Sequence, residues 1–300
     1  MAWAAEFLDR LGEPAAWAYR TGQPPACEPA ALAALALLGH GRVDAAKAPL
    51  DWLVARQSPE GRLGVNASQP EPNWPTMWAV LAWTADARFR NQTLARGTYT
   101  DQVELAIRWM LGQKGKPIDR SRELGHDSTL IGWPWVESTH SWMEPTCLAV
   151  LALRATGRRA HPRCEEAIRL ITDRLLPAGG ANYGNTIVLG QELLPHLQPT
   201  GLALLALAKS RVDDDRIAKS VVWLKQTVAP GLPGTSLAYA LMGLAAYRKF
   251  PTAADDWLAE AARRTRDRSG FLPVIPLALL AALDEHNPLI MLPRFEEYAP

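Results

Sequence analysis

Strand signals are nearly absent from this 300-residue chain, so hardly any segment could build a sheet. Long hydrophobic runs are missing too. The apolar stretches are too short and too alanine-rich to cross a bilayer, and the N-terminal MAWAAEFLDR carries acids where a signal peptide would carry bases. The chain therefore reads as soluble and cytoplasmic. Charge of one sign is lacking: 32 basic against 31 acidic residues give no argument for nucleic acid, and nothing indicates a membrane-surface contact. Cysteine is scarce. Cys27, Cys147 and Cys164 leave an odd thiol with no CxxC spacing, which excludes a disulfide frame and suggests a reducing compartment.

What the chain does contain is a repeated phrase that opens a helix. Glu28-Pro29 precedes LAALAL-type sequence, Trp74-Pro75-Thr76 precedes MWAVLAW, Glu144-Pro145-Thr146 precedes CLAVLAL and Gln198-Pro199-Thr200 precedes GLALLAL. Weaker copies at Gly234-Thr235-Ser236 and Val274-Ile275-Pro276 make six. Proline or small polar residues suit a first helical turn, where no backbone donor is needed. The runs that follow are apolar on every side and must be buried.

Between them lies an amphipathic set: Trp3 to Leu11, Ala46 to Gln57, Gln102 to Gln113, Arg163 to Leu175, Arg216 to Gln226 and Ala254 to Thr265. In the fourth, Ala167, Leu170, Ile171 and Arg174 share one face, while Glu165, Glu166, Arg169 and Asp173 turn away. Six outer and six inner helices describe an all-α fold, an α/α toroid of about six helical hairpins forming one domain over residues 1–300.

Two connections are far longer than usual, about 114–143 and about 177–197, and both lead into inner helices, hence to one mouth of the ring. The first concentrates His126, Asp127, Trp133, Trp135, Glu137, His140, Trp142 and Glu144; the second holds Asn182, Tyr183, Asn185 and His196. Twelve tryptophans are a high load. Those on outer helices, Trp52, Trp109, Trp223 and Trp257, recur in one register and are expected to fill the space between rings. Trp74, Trp78, Trp133, Trp135 and Trp142, with Tyr183 and Tyr239, are candidate ligand walls, since aromatic faces suit a cation or a greasy ligand.

The Leu53-x3-Gln57-x3-Gly61 pattern, followed by P-T-x-x-A-x-x-A-[LW], resembles the prenyltransferase and squalene-oxidase repeat of squalene-hopene cyclases, other class II terpene cyclases and protein prenyltransferase β subunits. The resemblance spans essentially the whole chain, with departures: Leu63 and Leu272 replace a tryptophan, and Arg266 a glutamine. It implies a toroid whose cavity takes an isoprenoid or similar apolar lipid. Laying the cyclase DxDD motif on Trp142 to Thr146 puts Glu144 at the proton donor, with Trp142 and Pro145 in place of flanking aspartates. His140 could orient that acid, and Asp127 completes the candidate catalytic set. Against this, Glu28 and Gln198 occupy the same place in other copies, so an oxygen there could merely cap a first turn.

Zinc is not expected, because Glu144-x-x-Cys147 lacks the Asp-x-Cys spacing of the prenyltransferases and no later inner helix supplies a histidine. No cofactor is implied. The run Asp213-Asp214-Asp215 reads as the N-cap of the helix at Arg216. The leading expectation is terpene-cyclase-like isomerase or lyase chemistry. Ligand contacts would come from Trp74, Trp78, Trp133, Trp135, Trp142, Asn182, Tyr183 and Tyr239. The alternatives are a non-catalytic lipid-binding or scaffold toroid and a prenyltransferase β-like subunit.

Overall fold

The structure, a computed structural model, describes residues 2–120, 124–268 and 270–291. Residues 121–123, within the first long connection, lie outside it. The six apolar phrases form the inner helices α2 (Cys27–Gly39), α4 (Pro75–Phe89), α6 (Met143–Ala155), α8 (Leu197–Leu207), α10 (Gly234–Ala246) and α12 (Val274–Ala282). The amphipathic phrases form the outer helices α1 (Ala2–Leu11), α3 (Lys47–Val54), α5 (Thr100–Gly112), α7 (Pro162–Asp173), α9 (Asp215–Thr227) and α11 (Ala254–Asp267). Each inner helix packs on the next, and α12 packs on α2. That last contact closes the ring, so the fold is an all-α α/α toroid. A short helix, α13 (Pro288–Met291), follows the ring.

Local chemistry sets each boundary. Pro75 begins α4, and Pro29, Pro145 and Pro199 stand third in their helices, where the missing N–H costs nothing. At the far ends of α2, α4, α6 and α10 a residue with positive φ (Gly41, Asn91, Gly157, Arg248) turns the chain. The next N–H then returns to a carbonyl of the last turn, as from Arg42 to Leu37 at 2.8 Å and Arg158 to Leu153 at 2.7 Å. The outer α9 starts as expected, with the Asp214 carboxylate accepting from the Arg216 N–H at 2.9 Å.

The threonine of the repeated Pro-Thr pair has its own task. Its hydroxyl accepts the N–H of a residue in the preceding connection: Leu63 to Thr76 at 2.8 Å, Trp133 to Thr146 at 3.0 Å and Ala181 to Thr200 at 2.9 Å. In every case the same hydroxyl also approaches that residue's carbonyl, at 3.3 to 3.5 Å. Three connections are thereby pinned to the first turns of three inner helices. Gln57 works similarly, its amide donating to the Gly61 and Gln102 carbonyls at 3.1 and 2.9 Å. The phrases that suggested a family are parts of the toroid's own hinge geometry.

The closest inner contact is α8 against α10. A Cβ on Gly201 would lie 2.1 Å from the Tyr239 carbonyl oxygen, and one on Gly243 would lie 2.7 Å from the Gly201 Cα, so backbone meets backbone here. Outer-helix Trp52, Trp109, Trp223 and Trp257 are half-buried against the core, filling the space between the rings. No helix among the described residues is long and apolar enough to cross a membrane.

Candidate functional site

Glu28, Glu144 and Gln198 are each the second residue of an inner helix, α2, α6 and α8. Position in the repeat brings them to the same rim. The Gln198 amide donates to Glu144 Oε2 at 3.1 Å. Glu144 is only 8% exposed, whereas Glu28 keeps partial access to solvent. Neither carboxyl caps its own helix: the partner of Glu28 is the Tyr19 hydroxyl and that of Glu144 is the Gln198 amide, both from other segments. The capping alternative for these positions therefore fails.

The partners of the two carboxyls differ. Glu28 accepts from the Tyr19 hydroxyl at 2.7 Å, and the Trp74 side chain stands near it as a second donor. Burial pushes its pKa up, and these two donors oppose that by stabilising the anion. Glu144 is pushed up to about 8, first by burial and then by the negative charge of Glu28, with only the neutral Gln198 amide opposing. The pair thus differs in its surroundings: Glu28 has donors that favour its anion, whereas Glu144 has only the neutral Gln198 amide, which makes Glu144 the one that holds its proton more firmly. Tyr239 of α10, 2% exposed, lies within electrostatic reach of both, and its hydroxyl is held far above its ordinary pKa by burial and by those carboxyls.

Aromatic side chains rim the pair. Tyr19 stacks on Phe271 at 5.7 Å, and Trp74 meets Trp135 edge to face at 5.2 Å. Tyr183 accepts the first N–H of α6 through its backbone carbonyl, at 2.9 Å, and stands against His196 at 5.2 Å. The second long connection carries a two-stranded hairpin, β1 (Ile187–Val188) with β2 (Gln191–Glu192), antiparallel. It packs on the first long connection, where the Thr186 hydroxyl donates to the Leu124 carbonyl at 3.2 Å and meets His126 Nδ1 at 3.5 Å. Asn182 braces its own loop, donating to the Leu194 carbonyl at 2.7 Å.

The other expected site residues are placed elsewhere. Asp127 is engaged by Arg120 and by Thr129, whose hydroxyl donates to it at 2.6 Å. Its N–H is held by Asp173 at the end of an outer helix. These partners hold its carboxyl below the usual range, Thr129 first. His140 is exposed and tilted against Trp142 at 5.0 Å. Trp133 is wholly buried: its indole donates to the Met110 carbonyl at 2.8 Å, and the Arg163 guanidinium covers its face at 4.2 Å. Trp78, four residues beyond Trp74 on α4, is also wholly buried. Cys147, one turn below Glu144, is buried with its thiol pushed well up by desolvation. Among the described residues no group of three or more His, Cys, Asp or Glu side chains could hold a metal ion.

Sequence reasoning missed Tyr19 and the active partnership of Glu28. Tyr19 comes from the irregular segment before α2, which carries no periodic signal. Glu28 did carry one, its shared place with Glu144 in the repeat.

The architecture belongs to the class of α/α toroids, and comparison with solved structures narrows the likeness. The chain is similar to the GH76A alpha-1,6-mannanase of Salegentibacter sp. HEL1_6, with 14% identity, a TM-score of 0.56, and coverage of 96% of this chain and 99% of that one. It is equally similar to a second structure, a glycosidase, at 14% identity and a TM-score of 0.56, covering 96% and 98% of the two chains. A protein from Actinoplanes follows at 16% identity and a TM-score of 0.50, covering 89% and 79%. No family model and no curated protein sequence matches the chain. At these identities the likeness is one of fold.

The resemblance to the prenyltransferase and squalene-oxidase repeat is therefore corrected. Two solved structures that match this chain over nearly its whole length are glycosidases, and the phrases behind the resemblance are hinge elements of the ring. The expected isoprenoid chamber and cyclase chemistry are corrected with it. The rim itself presents paired carboxyls, tyrosines and an amide. A hydrocarbon would strand those polar groups, whereas a hydroxyl-rich ligand satisfies them.

Proposed function

We propose that this toroid is a glycosidase-type hydrolase acting on a saccharide at the Glu28–Glu144 rim. The observation that carries the reading is a pair of carboxyls at one rim with different partners, at the starts of α2 and α6: Glu28 accepts from the Tyr19 hydroxyl, and Glu144, met only by the Gln198 amide, is pushed up to about 8. Cleavage of a glycosidic bond calls for that combination, an acid to protonate the leaving oxygen and a carboxylate to meet the cationic sugar that develops. Glu144 is the acid. Gln198 donates to its Oε2, which leaves Oε1 to carry the proton. Glu28, held by the Tyr19 hydroxyl, is the carboxylate. The partly exposed faces of Trp74, Trp135 and Tyr183 supply flat apolar surfaces for sugar rings. The glycosidase neighbours support the same substrate class.

The test is release of reducing ends from a panel of oligosaccharides, beginning with α-1,6-linked mannan. Wild type is expected to cleave at least one, and Glu144→Gln to lose about 10²- to 10⁴-fold in kcat while still binding it. No cleavage of any saccharide, or full activity in Glu144→Gln, sinks the reading.

A further inference from the structure

The loop that follows α3 folds around a cavity of about 320 Å³, whose polar side chains are Arg56, Ser58, Arg62 and Asn66. Each has a donor to offer. Among the described residues the Arg56 guanidinium makes no hydrogen bond or ion pair, and it is held over the Trp52 ring at 5.0 Å. The Ser58 hydroxyl oxygen is buried with no hydrogen-bond partner. Asn66 spends its side-chain oxygen on the Ser68 N–H and hydroxyl and on the Gln69 N–H, at 2.9 to 3.0 Å, which leaves its NH2 group. Arg62 gives one nitrogen to Glu71 at 3.1 Å and keeps its other N–H groups. No carboxylate lines the cavity: Glu71 lies outside it, and so does Glu60 in the turn beside Ser58. Backbone bonds build this arrangement. The Ser58 N–H donates to the Arg62 carbonyl and the Gly61 N–H to the Ser58 carbonyl, both at 2.9 Å, with Gly61 at a φ of 101° that glycine adopts freely. The Cys27 N–H, donating to the Val65 carbonyl at 2.8 Å, ties the loop to the start of α2.

We propose that this cavity binds the phosphate or sulfate ester group of a small molecule. Neither Glu28 nor Glu144 lines it, so the proposal stands apart from the saccharide reading. Its donors come from three places, the residues just past α3, the turn over 58–62 and the loop at Asn66. Donors on several sides suit a tetrahedral oxyanion better than a planar carboxylate, and two guanidiniums supply the opposite charge. The buried Ser58 hydroxyl, costly to leave unpaired, gains an acceptor when the anion enters. Ala55, Ala67 and Pro70 add an apolar wall. The volume is at the low end of small-molecule sites, roughly 300 to 1,000 Å³, and leaves room beside the oxyanion for the body of the ester.

The experiment is calorimetry at about pH 7, where a phosphate monoester is largely dianionic, with ionic strength held constant by chloride. The probes are glycerol 3-phosphate, glucose 6-phosphate, glucose 6-sulfate, inorganic phosphate, inorganic sulfate, malonate and glucose. At least one ester is expected to bind more tightly than the inorganic ions and malonate, and glucose not to bind. Arg56→Gln and Arg62→Gln should each weaken that ester at least roughly tenfold, and Ser58→Ala, which keeps both charges, by about two- to tenfold. Arg108→Gln, which removes an exposed charge from α5, should leave it within about twofold. Unliganded Ser58→Ala is expected to melt with wild type, so that its weaker binding is not a loss of fold. If Arg62→Gln, deprived of its pair with Glu71, does not fold, Arg56→Gln and Ser58→Ala decide. Absence of ester binding, or inorganic ions or malonate bound as tightly as the esters, overturns the proposal. So does a loss in Arg108→Gln as large as in Arg56→Gln, or ester binding that Arg56→Gln and Ser58→Ala leave unchanged.

Discussion

Replacing Glu144 with glutamine should stabilise the fold, and increasingly so as pH rises. A carboxyl whose folded-state pKa is raised keeps its proton while the unfolded chain gives it up, so the folded state loses ground between the two values. For Glu144 those are the ordinary 4.5 and about 8. At about 1.4 kcal/mol per pH unit, the upper bound at pH 8 is roughly 4 to 5 kcal/mol, and relaxation around the coupled pair reduces it to about 2 to 4 kcal/mol. At pH 5 most of the difference has gone, leaving about 1 kcal/mol or less. Glutamine keeps the acceptor for Gln198 and removes the charge that Glu28 opposes. Chemical denaturation of wild type and Glu144→Gln at both pH values measures the difference directly. A variant less stable than wild type, with a deficit growing toward pH 8, would refute the reasoning, because it would mean that Glu144 is ionised and held by the α6 N-terminus.

Other substitutions probe the scaffold and the carboxylate. Thr146→Val leaves the buried Trp133 N–H without its acceptor and should cost about 1 to 3 kcal/mol in the same denaturation assay. Gly201→Ala places a methyl 2.1 Å from the Tyr239 carbonyl; α8 and α10 must part, with an expected loss of at least about 2 kcal/mol and a fall in Tm. Tyr19→Phe removes a donor that stabilises ionised Glu28, so the acidic limb of the pH–rate profile should move to higher pH, while the basic limb, set by Glu144, stays near pH 8.

The toroid was legible because a buried helix and an outer helix differ in composition all along their length. α2 is apolar on every side and α7 on one, and a sixfold alternation of such patterns has few architectures open to it. Boundaries followed from Pro75 and its counterparts, and Asp214 could be read as a cap, because those effects are local. Long-range partners were not legible. Nothing in Thr146 announces that it will hold Trp133, thirteen residues earlier, and the same bond converts a tryptophan expected to face a ligand into a buried one. The shared place of Glu28, Glu144 and Gln198 was visible as a repeat position. It suggested three parallel caps, whereas ring closure turns these side chains toward one another and the irregular segment around Tyr19 adds a donor from outside the repeat. The family resemblance failed for a related reason: hinge phrases common to a way of closing a ring say little about what the ring encloses.

The central claim is that two carboxyls at one rim, ordinarily alike, are set apart in acidity by their surroundings, with Glu144 pushed up to about 8 and Glu28 held back by its donors. The direct measurement is carboxyl-carbon NMR of protein with labelled glutamate, with Glu28→Gln and Glu144→Gln assigning the two resonances. The account predicts that the Glu144 signal titrates near pH 8 and that Glu28 loses its proton at distinctly lower pH. Removal of Glu28 should bring the Glu144 midpoint down. Two carboxyls that titrate together within the ordinary glutamate range, each indifferent to loss of the other, would contradict it.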